Sequence, residues 1–270
     1  MTTAALVERM APEELWTLFQ RVVPPAPVRP QGGGHRRRGD REVLAAIVFV
    51  ATSGCTWNQL PPGFGLSGVT AFRRFTEWTE ARVWAKLHRL ALDELGARGE
   101  LDWSRCAIDS VSVRALKGGK LTGPNPTDRG KKGSKIHLIV DRQGLPLSVG
   151  ISAANLHDSQ ALIPLVRGIP PIRSRRGPRR RQPGKLHGDK GYDYRFLRRW
   201  LASRGIRHGL ARKGVESSQR LGQHRWVVER TVSWLSGCRR LHRRYERKPE
   251  HFLAFTAIAA TLICHRRLTK

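Results

Sequence analysis

Residues Arg105 to Leu116, RCAIDSVSVRAL, decide the fold. Cys106, Ala107 and Ile108 lead into Asp109, and Val111, Val113 and Ala115 then alternate with Ser110, Ser112 and Arg114. Alternation of this kind marks a half-buried strand. The acid at its apolar end is the anomaly. The chain carries 50 Lys and Arg against 21 Asp and Glu, a net charge of +29. In so basic a protein an acid fixed on a core strand calls for a reason, and metal chemistry on nucleic acid supplies one.

With 270 residues, 39% of them hydrophobic, the chain has enough length and apolar content for one large domain or two smaller ones. The excess of Lys and Arg points to a polyanionic partner, because such residues displace counterions from a phosphate backbone. Eight Trp and a patterned core exclude a disordered basic tail. Cys55, Cys106, Cys238 and Cys264 have no paired spacing, so neither a zinc knuckle nor a disulfide framework is expected, and a reducing cytoplasm fits. Glu8, Glu13 and Glu14 argue against a signal peptide, and the apolar run Phe252 to Cys264 is too short to span a bilayer. No membrane partner is expected; the nucleoid is the expected location.

The first 99 residues read as helices. One amphipathic helix is predicted over 11–23, opened by Pro12. A second covers Arg41 to Ser53, with Asp40 as cap and Gly54 as stop. A short turn of helix at Trp57 to Leu60 is followed, after Pro61 to Gly65, by a helix from Ser67 to about Glu80. Its inner side is predicted to hold Val69, Phe72 and Phe75, and its outer side Arg73 and Arg74. This is the layout of a helix-turn-helix whose second helix would place Arg73 and Arg74 on DNA. A plain helical bundle with a solvated charged face is the alternative. A further helix covers Arg82 to Leu95.

From residue 100 onward the pattern changes to strands alternating with helices. Strands are predicted at Arg105–Leu116, Lys135–Val140, Leu147–Ala153, Lys185–Gly188 and Ile206–Leu210, the second and third joined through Gln143-Gly144. Lys117 to Gly133 is a Gly- and Lys-rich loop containing Lys131 and Lys132. Helices are predicted at Ser159–Arg167, Tyr194–Arg204, Gln223–Cys238 and Pro249–Arg266. Residues 173–185, with six Arg, one Lys and no acid, read as a flexible basic loop. The result is an α/β fold with helices on both faces of the sheet.

Between Asp109 and Glu229 the chain has eight acids. Asp128 and Glu216 sit in basic, polar loops. Asp141 opens a turn, and Asp158 and Asp193 stand where helix caps are wanted. Asp109, Asp189 and Glu229 remain, two at strands and one in mid-helix. Three convergent carboxylates can hold two Mg²⁺ or Mn²⁺ ions, and oxygen donors suit those hard cations. Arg225, one turn before Glu229, either orients that carboxylate or is an ordinary surface Arg. Lys190 and Tyr192 flank Asp189 and are candidates for DNA contact, with core packing the alternative for Tyr192. His137 and His157 read as structural.

These residues are where the chain resembles the DDE-type transposases of bacterial insertion sequences, in the IS five-like group. The resemblance runs nearly end to end. It rests on WNQLPPGFG, on AIDSVSVRA around Asp109, on DRGKKGSKIHLIVDRQG from Asp128 to Gly144, and on SAANLHDS from Ser152 to Ser159. It continues with GDKGYD from Gly188 and RWVVERTVSWLSGCRRL from Arg225. It implies an N-terminal all-helical DNA-binding region, residues 1–99, before a ribonuclease-H-like mixed sheet flanked by helices, residues 100–270. It also implies a catalytic, metal-holding triad at Asp109, Asp189 and Glu229. The wider family often has Tyr three residues before the Arg and Lys seven after the Glu. Here Gly222 and Ser236 stand there, and Arg239 or Arg240 is the candidate for the Lys role. The implied activity is metal-dependent cleavage and strand transfer at terminal inverted repeats. The implied partners are double-stranded end and target DNA and a second copy of the chain on that DNA. A DNA-binding repressor derived from a transposase, or a nuclease without strand transfer, are the other readings.

Overall fold

The computed structural model describes residues 2–26, 37–214 and 218–270. Five helices come first: α1 (Thr3–Met10), α2 (Glu13–Gln20), α3 (Asp40–Ser53), α4 (Gly68–Glu80) and α5 (Val83–Arg98). The single helix predicted over 11–23 is the shorter α2, started by Pro12, and α1 precedes it, capped by the Thr2 hydroxyl. Asp40 is the first residue of α3 rather than its cap, and Gly54 ends that helix in the left-handed conformation at φ 75°. Trp57–Gln59 forms a single 3₁₀ turn closed by a Thr56–Gln59 capping box. Ser67 Oγ then accepts from Thr70 N at 3.2 Å to start α4.

The rotation of α4 differs from the sequence reading. Ala71, Phe75 and Trp78 are buried, with spacing i, i+4, i+7. That phase leaves Val69 and Phe72 exposed and turns Arg74 inward. Arg74 is 6% exposed, ion-paired to Asp40 and Glu77, with its guanidinium 5.0 Å from the Trp78 ring centre. A buried cation there depends on Asp40, which lies on another helix, so local periodicity could not reveal it. Arg73 is exposed.

The sheet is built from β1 (Cys106–Ala115), β3 (Lys132–Val140), β4 (Pro146–Ala153), β5 (Lys185–Gly188) and β6 (Arg207–Leu210). Short β2 (Gly123–Pro124) and β7 (Arg243–Arg244) pair with β3 and β1. Along the sheet the order is β4, β3, β1, β5, β6; the first three run antiparallel, while β5 and β6 run parallel to β1. Asp141 closes the β3–β4 turn by accepting from Gln143 N at 2.9 Å and Leu145 N at 2.8 Å. α6 (Ser159–Gly168) covers the face bearing Ser110, His137 and Gly150. There a Cβ on Gly150 would touch Leu165 at 3.3 Å. α7 (Arg195–Ser203) follows β5, and α8 (Ser218–Ser236) and α9 (Pro249–Leu268) pack on the sheet as well. This mixed sheet flanked by helices is the α/β architecture expected.

The basic stretch 173–185 is tied down rather than flexible. The buried Asp93 on α5 accepts from Arg173 N at 2.8 Å and from Arg179 Nη1 at 2.8 and 3.0 Å. Ile172 and Arg180 exchange backbone hydrogen bonds. α9 lies along α5 and also touches α3 and α4, with Phe255 stacked on Phe75 at 4.6 Å. One hydrophobic core therefore runs from the N-terminal helices into the sheet.

Two consequences can be measured. Removing the cation of Arg74 takes away the nearer partner of Asp40 and leaves Arg37 at 4.0 Å, so Arg74→Ala should lower unfolding free energy by about 2–3 kcal/mol. Arg73→Ala should stay within roughly 0.5 kcal/mol of the parent; urea unfolding of both variants checks the assignment. His88 Nε2 donates to Pro146 O at 2.8 Å, and burial pushes its pKa down from 6.5 to about 4. Burial does the same to His137, against a smaller upward pull from Asp158. The unfolded chain takes up these protons first, so the contribution is whole above pH 6.5 and drains as pH falls toward 4. Urea midpoints measured from pH 7 to 4.5 should fall, and His88→Gln should flatten that fall by about 2 kcal/mol.

Candidate active site

The ladder between β1 and β5 pairs Cys106 with Leu186 and Ala107 with His187. Continued by two residues, the same register sets Asp109 level with Asp189. A Cβ added to Gly188 would lie 3.1 Å from Ile108, which places those two residues side by side as the register demands. Neighbouring strands are about 4.8 Å apart, so a register continued this far would put the two aspartates one strand spacing apart on one face. Both are half-buried. Asp109 Oδ1 accepts from Ser110 N at 2.8 Å, and Asp189 Oδ1 from Gly191 N at 2.9 Å. Backbone N–H groups thus orient one oxygen of each carboxylate.

At about 5 Å and an effective dielectric of about 20, two such charges repel by roughly 3 kcal/mol. A hard divalent cation between them reverses the sign, and the donor set suits one. Glu229 lies on α8, which packs on β1, β3 and β5. Its neighbours Val227 and Val228 are buried, while Glu229 itself is exposed. Among the described residues no three His, Cys, Asp or Glu side chains are gathered to hold a metal ion.

On the opposite face of β1 lies a polar network that sequence reasoning missed. Asp158 Oδ1 accepts from Ser110 Oγ at 2.8 Å and from Lys135 Nζ at 3.0 Å. Lys135 Nζ also donates to Leu156 O at 2.8 Å. His137 Nε2 and Ser152 Oγ are 2.7 Å apart within it. Asp158 occupies the cap position of α6 but makes no side-chain cap bond. The signal was present in the period-two pattern, which puts Ser110, Lys135 and His137 on one face; the partner arrives from a distant loop. Asp193 is likewise no cap. It accepts from Arg198 and from Lys213 N, and Arg198 foremost holds its carboxyl below the ordinary range.

Of the cations singled out in the sequence, Lys131 and Lys132 are exposed beside Arg114 and Lys117, and Arg239 is exposed. Lys190 is half-buried in the 3₁₀ turn after Asp189. Tyr192 is 1% exposed and belongs to the core, packed near Gly188. Arg240 is also buried: its Nε donates to Glu246 at 2.8 Å and its Nη1 to Cys55 O at 3.0 Å. With Arg74 turned inward as well, Arg74, Tyr192 and Arg240 lose the surface position that DNA contact needs. The side chain of Arg225 lies outside the described residues.

Comparison with known proteins identifies the family. Residues 103–264 match the family model "Transposase DDE domain", and residues 12–88 match "Putative transposase of IS4/5 family". A 149-residue stretch is 44% identical to "Putative transposase for insertion sequence element IS402" of Burkholderia cepacia, covering 55% of this chain and 71% of that one. A 116-residue stretch is 41% identical to "Insertion element IS402 uncharacterized 16.2 kDa protein" of the same organism, covering 42% and 79%. Among solved structures, the Mos1 strand transfer complex aligns over 90% of this chain and 82% of that one, at 11% identity and a TM-score of 0.30. That last likeness is too loose to bear on the site. Among the described residues, no helix is long and apolar enough to cross a membrane. A DDE domain model spanning the whole sheet, joined to an IS4/5-family model over the N-terminal helices, shows that the chain belongs to the DDE transposases of insertion sequences.

Proposed function

We propose that Asp109, Asp189 and Glu229 are the catalytic acids and hold Mg²⁺ or Mn²⁺. The chain then cuts DNA at the terminal inverted repeats of its own element and joins the freed 3′ ends to target DNA. The observation that carries this reading is the register that sets Asp109 beside Asp189. Bound divalent ions would supply the charge that activates water or a 3′-hydroxyl and that stabilises the leaving oxygen. The chain's own part is to fix the two aspartates through backbone N–H bonds and to bring Glu229 to them from α8.

The exposed Arg73 on α4, Lys131 just before β3, Lys132 at its start and Arg239 are read as phosphate contacts, together with the half-buried Lys190 and with Arg225 on the same helix as Glu229. Residues 1–99 are assigned to end recognition and 100–270 to chemistry. Two ends have to be joined, so the working form on DNA is a homodimer.

Asp109→Asn separates binding from chemistry. It should keep its affinity for element-end DNA within about twofold, yet lose cleavage in Mg²⁺ or Mn²⁺ by roughly a thousandfold or more. Cleavage of labelled end DNA is the measurement, and full activity in that variant would remove Asp109 from the reaction.

A further inference from the structure

On α8, next to Glu229, stands a ladder with no part in holding metal. The Arg230 guanidinium lies 4.5 Å from the ring centre of Trp226 and 4.6 Å from that of Trp234. Arg230 Nη2 donates to Gln143 O at 2.6 Å, and Thr231 Oγ1 donates to Gly144 O at 2.7 Å. The ladder is therefore fixed to the β3–β4 turn. Trp226 is nevertheless 48% exposed and Trp234 36% exposed. Both edge a cleft between α8 and the end of α9 that Arg142, Arg266, Arg267 and Lys270 also line. Arg142 and Arg267 pair with Asp102 and Glu100 outside it, and no acid lines the cleft itself.

We infer that this cleft holds unpaired nucleotides of a DNA strand, with bases on the two indoles and phosphates on the cations. Duplex phosphates would need the cations alone. Arg230 covers one side of each indole, and the ring surface still exposed is a poor match for a duplex, whose base faces are stacked away, and a good one for bases that have left the stack. Position agrees with chemistry: Trp226 lies one turn before Glu229, and strand cutting produces ends that can unpair. The inference rests on the DNA reading above but not on the acids, and the two can fail separately.

The test uses the full chain in EDTA, so that no cutting occurs. Fluorescence anisotropy reads binding to labelled oligodeoxythymidylate of about 20 nucleotides and to a mixed-sequence duplex of about the same length. Trp226→Ala and Trp234→Ala should each weaken single-strand binding roughly tenfold and duplex binding less than about twofold. The Phe variants should restore most of the single-strand affinity. Equal weakening on both DNAs, or none on the single strand, overturns the inference. A second measurement on the unaltered protein needs no variant to fold. Oligodeoxythymidylate, and not duplex, should protect Trp226 and Trp234 from oxidation by N-bromosuccinimide, mapped by mass spectrometry. Lack of protection, or equal protection by duplex, overturns it as well.

Discussion

The site depends on strand register. β1 is held from both sides: antiparallel to β3 from Ala107–Val140 to Arg114–Gly133, and parallel to β5 at Cys106 and Ala107. A slip of one residue on either side would turn Asp109 away from Asp189, because side chains alternate between faces. What resists the slip is burial. Ile108, Ile139 and Leu138 are fully buried, and any shift would carry one face's apolar set into the polar network of the other. Two repelling carboxylates are thus kept together by the hydrophobic effect acting on their neighbours.

How much of this could be read from residues alone follows from the range of the forces involved. The strands and the helices after residue 100 were legible because alternation, capping residues and glycine stops act over a few positions; Gly54 and Asp141 behave as their local chemistry dictates. Asp109 and Asp189 stood out because an acid at the apolar end of a strand is costly wherever the strand lies. The errors have a common cause. The local segments of Arg74, Arg240 and Asp158 do not give their roles, which come from Asp40, the Cys55 carbonyl and Lys135, all from elsewhere in the fold. Long-range ion pairing leaves no period in a sequence.

The same scarcity of acids shapes the interior. With 50 cations and 21 acids, most cations have no carboxylate of their own. Backbone carbonyls take over. Arg244, fully buried, donates to Leu121 O, Lys120 O and Glu246 O and to Ser134 Oγ, beneath the Phe252 ring. It ties β7 to the loop that leads toward Lys131 and Lys132. A basic chain can in this way bury part of its charge as structural pins and still present the rest to phosphate.

The rotation of α8 bears on how the third acid joins the pair. Val227, Val228, Thr231 and Leu235 face inward, and Thr231 Oγ1 is bonded to both Val227 O and Gly144 O. Turning the helix by one residue to aim Glu229 at the sheet would expose at least two valines, at about 1.5–3 kcal/mol each, and break the Thr231 anchor. Rotating a Glu side chain about its own bonds costs far less, of the order of 1 kcal/mol. The cheaper motion leaves the Trp226–Arg230–Trp234 ladder where it stands. In the reading proposed above, side-chain rotation of Glu229 rather than helix rotation would complete the acids while the neighbouring cleft keeps its shape, so one helix would serve both.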